Sequence, residues 1–227
     1  MKKFAAMLMA IAMLLSACAL AEETAAVTSP VASPVASPIA DLVGDPADLP
    51  EMLDVMNGVL EIYLPETQQS LLLNAALEEA FGEGAAATEF AVIDVDGDGR
   101  LDMLLKVDMN GEDFGTMILS KANDKINGYP YTYRAMMNVK EDATFDFSSG
   151  AADSGVGSFS KDEEGNGVIN VLAESVSDGE GNITYTVNGE AADVDAFDAV
   201  IDAQRAKTDL TFVEATAANL LLYLTIE

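Results

Sequence analysis

The chain has 227 residues and is strongly acidic, with 39 Asp and Glu against 11 Lys and Arg and a formal net charge of −28. Phosphate binding draws on clustered basic residues, so this balance argues against nucleic acid, and no nucleic-acid partner is predicted. The absence of histidine removes histidine-based general-base catalysis, Ser-His-Asp triads and histidine ligation of zinc. Strong acidity instead favours solubility and the attraction of cations.

The first residues have the build of an export signal. Lys2 and Lys3 precede an apolar run over residues 4–15, and small residues follow it. A membrane-spanning helix is the alternative, but residues 4–20 offer only 17 positions, at the short limit for a bilayer core of about 30 Å. We therefore interpret the segment as a signal peptide.

The tetrapeptide Leu15-Ser16-Ala17-Cys18 resembles the lipobox of bacterial lipoproteins. The resemblance implies that residues 1–17 are cleaved and that Cys18 becomes the first residue, thioether-linked to diacylglycerol. Two acyl chains anchor a protein stably, whereas one chain binds membranes only marginally. We expect a protein held at the cell membrane through the lipid on Cys18 and facing the extracellular or periplasmic side. The alternative is an ordinary secretory peptide with an incidental cysteine.

Residues 18–45 are predicted to form a spacer. They contain three tandem tetrapeptides in which every fourth residue is proline, namely Ser29-Pro30-Val31-Ala32, Ser33-Pro34-Val35-Ala36 and Ser37-Pro38-Ile39-Ala40. Each proline fixes its own φ and restricts the preceding residue, which opposes helix and sheet. An extended chain of this length, at about 3 Å per residue, reaches about 80 Å from the membrane.

Residues 46–227 are long enough for one domain with a sizeable core. Apolar residues at helical spacing predict a first helix from Pro50 to Tyr63, before Pro65. A second predicted helix begins after an N-cap at Thr67 and ends at Phe81.

Further along the chain the apolar pattern becomes that of strands. The predicted strands cover residues 90–93, 103–107, 114–119, 129–139, 144–147, 168–176 and 182–187. Their order, with glycine-rich turns between them, predicts an antiparallel meander. Asp193 and Thr216 are predicted to cap two closing helices. The fold class predicted is α+β, with N-terminal helices, an antiparallel β-meander that contains a calcium-type hairpin loop, and C-terminal helices.

One loop carries a recognisable chemical pattern, Asp94-Val95-Asp96-Gly97-Asp98-Gly99-Arg100-Leu101-Asp102. Four carboxylates in nine residues repel one another unless a cation neutralises them, and a calcium ion takes oxygen ligands of this kind. A turn at Gly99 lets alternate residues converge on one point. The predicted calcium ligands are the side chains of Asp94, Asp96, Asp98 and Asp102 and the backbone carbonyl of Arg100. The alternative is an Asp/Gly turn that merely sits in solvent.

Two features distinguish this loop from an EF-hand. Leu105 stands where an EF-hand needs a bidentate glutamate, and the flanking residues have a strand pattern. The segment 90–105 resembles the calcium hairpin of FG-GAP repeats, and also a hairpin found singly in lipid-anchored surface proteins of gut Firmicutes. The resemblance implies that the loop joins two antiparallel strands. The segment 162–170 imitates the spacing with poorer ligands and is predicted to be a hairpin turn, so a propeller of several repeats is not expected.

These features favour a non-enzymatic surface lipoprotein with a structural calcium ion, acting as a binding or interaction module for an envelope protein or a glycan. The alternative is a carboxylate-dependent envelope hydrolase of glycosidase type, in which two acidic residues lie about 5 to 10 Å apart. An extracytoplasmic solute receptor is a third hypothesis, although residues 46–227 are few for a two-lobed clamp.

Two other groups of residues bear on these alternatives. The pairs Ser120-Lys121 and Ser160-Lys161 lack the Ser-x-x-Lys spacing of a serine-lysine catalytic site. Tyr129, Tyr131 and Tyr133 alternate as core residues of a strand do, with a sugar-stacking platform as the alternative.

Overall fold

The computed structural model describes residues 42–225. The predicted signal peptide, Cys18 and residues 18–41 of the predicted spacer lie outside the described residues, as do residues 226–227. Among residues 42–225, no helix combines the length and the apolar character that a membrane crossing requires.

Helices and strands are mixed, and more residues lie in strands than in helices. The helices of the described part are α1 (Leu49–Met56), α2 (Leu73–Phe81), α3 (Val194–Arg205) and α4 (Ala217–Leu224). The strands are β1 (Ile62–Leu64), β2 (Gln69–Leu71), β3 (Ala85–Ile93), β4 (Asp102–Met109), β5 (Glu112–Ala122), β6 (Lys125–Thr132), β7 (Thr144–Ser148), β8 (Ser154–Lys161), β9 (Gly167–Ser177), β10 (Ile183–Val187), β11 (Glu190–Ala192) and β12 (Val213–Glu214).

The strands form two sheets. The first has seven strands in the order β12-β3-β4-β5-β6-β1-β2, and the second has five in the order β11-β10-β9-β8-β7. Neighbouring strands are antiparallel except β1 and β6, which pair in parallel through Tyr63 and Asn127. The strands expected to form one meander therefore divide between two sheets, and the division falls after β6.

The first sheet is buried on both faces. Along β4, Met103, Leu105 and Val107 belong to the apolar cluster that includes buried residues of α1, α2 and α4. Leu104 points the other way and belongs to a second cluster with Phe145 of β7. Because successive side chains of a strand point to opposite faces, helices cover one face of this sheet and the second sheet covers the other. This explains why residues 103–105 of β4 are all apolar rather than alternating with polar residues.

Both predicted N-terminal helices have wrong boundaries. The helix expected to reach Tyr63 ends at Met56, and residues 62–64 form β1 instead. The helix expected after Thr67 begins at Leu73, because residues 69–71 form β2 and pair with β1. Spacings of three and four residues suggested helix, but residues 62–64 and 69–71 pair with each other as a short hairpin. The hairpin joins the first sheet where Tyr63 pairs with Asn127 of β6, a partner that local periodicity does not reveal.

The strand predicted over residues 129–139 is also wrong beyond Thr132. A turn of 3-10 helix at Tyr133–Ala135 follows β6, and the chain then crosses to the second sheet. Tyr129 is consequently buried between the sheets while Tyr133 is exposed, so the three tyrosines do not share one surface.

Strand β8 was absent from the sequence-based prediction because it lacks apolar alternation. Its glycines permit close packing: a Cβ atom on Gly155 would lie 2.2 Å from the carbonyl oxygen of Ala173 on β9. The segment therefore pairs closely on both sides despite a composition that resembles a loop.

Several local predictions are confirmed. The side chain of Asp193 accepts a hydrogen bond from the backbone N–H of Ala196 (2.9 Å) and caps α3. Thr216 caps α4 by accepting from the N–H of Asn219 (3.3 Å). The turn after Asp162 joins β8 and β9 as the predicted hairpin.

Candidate metal centre

The acidic loop lies at the end of the β3–β4 hairpin. The two strands are antiparallel, and the last pair in their register is Ile93 with Asp102. Asp94 therefore begins the loop and Asp102 begins β4. The two ends of the loop are therefore adjacent, and the carboxylates of Asp94 and Asp102 lie close together.

The carboxylate of Asp94 fixes the shape of the loop. Its Oδ1 accepts a hydrogen bond from the backbone N–H of Gly97 (2.8 Å), and its Oδ2 accepts from the N–H of Gly99 (2.9 Å). Gly99 has a φ of +86°, which glycine adopts without steric cost. The chain therefore turns sharply around the first carboxylate.

The next two carboxylates each accept a bond from a backbone N–H two residues further on. Asp96 Oδ1 accepts from the N–H of Asp98 (3.1 Å), and Asp98 Oδ1 accepts from the N–H of Arg100 (2.8 Å). In these turns Oδ2 of each side chain takes no backbone hydrogen bond and faces the cation described below.

Three carboxylates converge at one point. Asp94, Asp96 and Asp102 each offer one oxygen within 4.8 Å of the others, and this is the one such group of three found in residues 42–225. Oxygens that bind one calcium ion at about 2.3 to 2.6 Å lie at most about 5 Å apart. An all-oxygen set suits a hard cation such as calcium better than zinc or copper. The residues present therefore fit the ion that the sequence predicts.

Asp102 is the most buried member of this group, with 1% of its surface exposed. Its Oδ2 accepts a hydrogen bond from the N–H of Val95 (3.0 Å). Burial, and then the charge of Asp96, raise the pKa of Asp102 to about 7. Without a bound metal ion, the protonated and charged forms of this carboxyl are therefore about equally populated near neutral pH, whereas an ordinary Asp is almost fully charged there. A divalent cation would favour the charged form instead.

A lysine from the second sheet faces the same carboxylates. Nζ of Lys161, the last residue of β8, lies 2.6 Å from Asp96 Oδ2 and 3.0 Å from Asp98 Oδ2. It also donates hydrogen bonds to Ser120 Oγ (2.8 Å) and to the carbonyl oxygen of Lys121 (3.0 Å). Although burial lowers the pKa of Lys161, its hydrogen bonds to Asp96 and Asp98 raise it above the ordinary value. Lys161 is therefore protonated, and its ammonium group lies against the loop carboxylates.

The side chains of the other two predicted ligand residues, Asp98 and Arg100, have other partners. Asp98 directs Oδ2 at Lys161 instead. The side chain of Arg100 turns away from the loop and pairs with Asp48, whose own side chain is buried. Asp48 also lies 3.3 Å from Nζ of Lys121, so one carboxylate receives two cations.

The segment that leads into α1 closes the back of the loop. The backbone N–H of Asp45 donates to the carbonyl oxygen of Gly99 (2.7 Å), and the N–H of Leu101 donates to that of Asp45 (2.8 Å). Residue 45, assigned to the spacer from sequence, is therefore hydrogen-bonded to the loop. Together with the Asp48–Arg100 pair, these bonds hold the loop against the start of α1.

Sequence reasoning missed Lys161 and Ser120 as parts of this site. Lys161 is 63 positions away from Asp98, its ion-pair partner, and ends a strand that the apolar pattern does not reveal. No local motif marks it. Only the packing of the second sheet on the first brings its ammonium to the loop.

Ser120 and Lys161 also resemble a serine-lysine catalytic pair, since Oγ and Nζ are 2.8 Å apart. The chemistry does not follow from the distance. Ser120 is fully buried, and its neighbour is a charged ammonium that donates to the hydroxyl rather than removing its proton. The pair therefore serves the packing of the loop in this conformation.

No family model, curated protein or solved structure matches the chain. The functional conclusion accordingly rests on the sequence motifs and on the geometry of the acidic loop and its lysine.

Proposed function

We propose that the chain is a membrane-anchored extracytoplasmic lipoprotein whose α+β domain is stabilised by a calcium ion in the Asp94–Asp102 loop and acts as a non-enzymatic binding or interaction module. The convergence of Asp94, Asp96 and Asp102 carries the calcium assignment. The tetrapeptide ending at Cys18, which lies outside the described residues, carries the anchor.

Asp94, Asp96 and Asp102 would hold the ion through their side chains, and Arg100 through its backbone carbonyl. Asp98 would join them through Oδ2 once that atom no longer bonds Lys161. The ion supplies positive charge that neutralises the loop. The loop itself is already shaped by backbone hydrogen bonds to Asp94, so little ordering is required of it on binding.

Thermal unfolding tests the calcium assignment. The full-length chain in detergent micelles is melted in a chelator and in calcium, with circular dichroism as the signal. Calcium at a hundred times its dissociation constant should stabilise the fold by about 2.7 kcal/mol. Identical midpoints in chelator and in millimolar calcium would contradict the proposal.

A matched pair of variants locates the effect in the loop. Asp102→Asn should abolish most of the calcium-dependent shift because it removes a buried ligand charge. Asp178→Asn removes one charge from another Asp-led turn, where Asp178 accepts from the N–H of Asn182 (2.9 Å), and should keep the full shift. A shift lost equally in both variants would indicate a general charge effect.

Metabolic labelling tests the anchor. The chain expressed in a bacterial host with an alkyne analogue of palmitate should become labelled and fractionate with membranes. The Cys18→Ser variant should lose both the label and the membrane association. Labelling that survives this substitution would contradict a lipid on Cys18.

The surface beside the loop supports a binding role. A groove of about 600 Å³ lies next to Asp94, with Phe90, Leu210 and Tyr223 in its apolar part and Glu141 at its acidic margin. An apolar groove with a few polar groups is the usual form of a recognition site.

Affinity capture from envelope extracts, with calcium and with chelator, tests this role. Val43, which lines the groove and is 90% exposed, provides a variant, Val43→Glu, that spares the core. A partner captured by the unmodified chain and lost with Val43→Glu would support recognition through the groove. Equal capture by both chains would place recognition elsewhere.

One observation favours the alternative of a carboxylate-dependent hydrolase. Asp102, with a pKa of about 7, lies beside two further carboxylates, and glycosidases pair a protonated acid with an ionised one. Its burial means that a substrate could reach Asp102 only if the loop opened. Glycosidase activity that is present in the unmodified chain and lost in Asp102→Asn would establish the alternative.

A further inference from the structure

The ammonium of Lys161 and a calcium ion require the same oxygens. Asp96 Oδ1 is bonded to the backbone N–H of Asp98, and Oδ2 lies 2.6 Å from Nζ of Lys161 and accepts a hydrogen bond from Ser120 Oγ (3.4 Å). Asp98 has the same arrangement. Its Oδ1 accepts a hydrogen bond from the backbone N–H of Arg100, and its Oδ2 accepts one from Nζ of Lys161. A cation that enters the loop must therefore share or displace both contacts of the lysine.

The ion pair is sheltered from water, which makes the competition strong. The exposed fraction of the side chain is 12% for Lys161 and 2% for Asp96. Charges this close interact far more strongly away from bulk water than at an exposed surface. The ammonium therefore neutralises part of the loop in the metal-free protein, and an entering ion gives up that interaction.

Lys161 also has hydrogen-bond acceptors that are not carboxylates. Its Nζ donates to Ser120 Oγ and to the carbonyl oxygen of Lys121, which are neutral groups on β5. These bonds can hold the ammonium after it leaves Asp96 and Asp98. Displacement is therefore an exchange of partners within the site and does not require β8 to leave the sheet.

We propose that the ammonium of Lys161 competes with calcium for the carboxylates of Asp96 and Asp98. It thereby stabilises the metal-free loop and lowers the affinity of the loop for calcium. The proposal rests on the calcium function proposed above. A resident ammonium would place the dissociation constant toward the 10⁻⁴ to 10⁻³ M range typical of extracellular calcium modules, where the ion is abundant. The lysine thereby sets the calcium concentration at which the loop fills.

The test is calorimetric titration of the full-length chain in detergent micelles with calcium chloride, at pH 7.5. Lys161→Met keeps about the length of the side chain and removes its charge. Lys161→Gln removes the charge from a shorter side chain that still carries a hydrogen-bond donor. Both variants should bind calcium at least tenfold more tightly than the unmodified chain, and both should melt at a lower temperature in chelator. The control is Lys125→Met, which removes a lysine that lies over the ring of Tyr63, away from the loop, and it should leave the calcium affinity unchanged.

The outcomes separate this inference from the function on which it rests. If neither the unmodified chain nor the variants bind calcium, the calcium function is overturned and the competition with it. If the unmodified chain binds calcium and the Lys161 variants bind it equally or more weakly, the competition alone is overturned. Where Lys161→Met fails to fold in chelator, the affinity of Lys161→Gln decides between these results.

Discussion

Nζ of Lys161 lies 2.6 Å from Oδ2 of Asp96, and this ion pair connects the last residue of β8 in the second sheet to the β3–β4 loop of the first. The contact places a positive charge against a loop that contains four carboxylates. One positive charge cannot neutralise four carboxylates. We therefore expect the loop to respond to pH, to the calcium ion proposed above and to changes in the residues that hold it in place.

The stability of the metal-free protein should fall as the pH rises from about 4 to about 7. Burial raises the pKa of Asp102 from about 3.8 in the unfolded chain to about 7 in the fold. Below pH 4 the carboxyl is protonated in both states, and above pH 7 the folded state must bury a charge. The loss is of the order of 4 kcal/mol over this range.

Urea denaturation in chelator at several pH values measures this loss. Asp102→Asn mimics the protonated carboxyl and should make stability nearly independent of pH between 4 and 7. Asp178→Asn should leave the pH dependence intact, because hydrogen bonds from Asn182 lower the pKa of Asp178, which then titrates below this window. Stability that instead rises with pH in the unmodified chain would contradict the assignment.

The apparent affinity for calcium should fall as the pH drops below about 7. A metal ion binds the deprotonated carboxylate, so a proton on Asp102 competes with it. The expected loss approaches tenfold per pH unit in this range. Isothermal titration at pH 8, 7 and 6 measures it, and an affinity that stays constant across these values would exclude Asp102 as a ligand.

Loss of the carboxylate at position 48 should destabilise the whole loop. Asp48 is buried and pairs with both Arg100 and Lys121, so Asp48→Ala leaves two cations without their shared partner. Removing one side of a buried ion pair costs about 3 to 5 kcal/mol. Urea denaturation should give a value below that range, because the Arg100 side chain is 43% exposed and can be solvated, and Lys121 keeps its contact with Glu51.

The control is Asp54→Ala in α1, the helix that Asp48 precedes. Asp54 is exposed, and the substitution should change the free energy of unfolding by well under 1 kcal/mol. A similar loss from both variants would show that the ion pairs of Asp48 contribute little.

A methyl group on Gly155 should disrupt β8. The added Cβ atom would lie 2.2 Å from the carbonyl oxygen of Ala173, a backbone atom that cannot move without separating β8 from β9. We expect Gly155→Ala to cost about 1 to 3 kcal/mol in urea denaturation. Gly179→Ala, where the new methyl group meets no atom within 4 Å, should be nearly neutral.

Much of the local structure was predictable because it depends on neighbours in sequence. The caps at Asp193 and Thr216 each bind an N–H three residues away. The β3–β4 hairpin is bounded by apolar runs that pair residue by residue across the loop. The boundaries of the N-terminal helices were wrong because residues 62–64 and 69–71 form a short hairpin, which joins the first sheet through the pair of Tyr63 with Asn127 of β6. That distant partner lies outside any local pattern.

The sequence alone determined that four carboxylates and a turn glycine lie together in one loop, because nine consecutive residues supply them. Tertiary structure alone decided which of these acids is buried and which cation faces them. Asp102 loses contact with water because both faces of the first sheet are covered, and Lys161 reaches Asp96 because β8 packs beside the loop. Burial and ion pairing depend on groups far apart in the chain, so only the assembled sheets bring together the charges that govern this site.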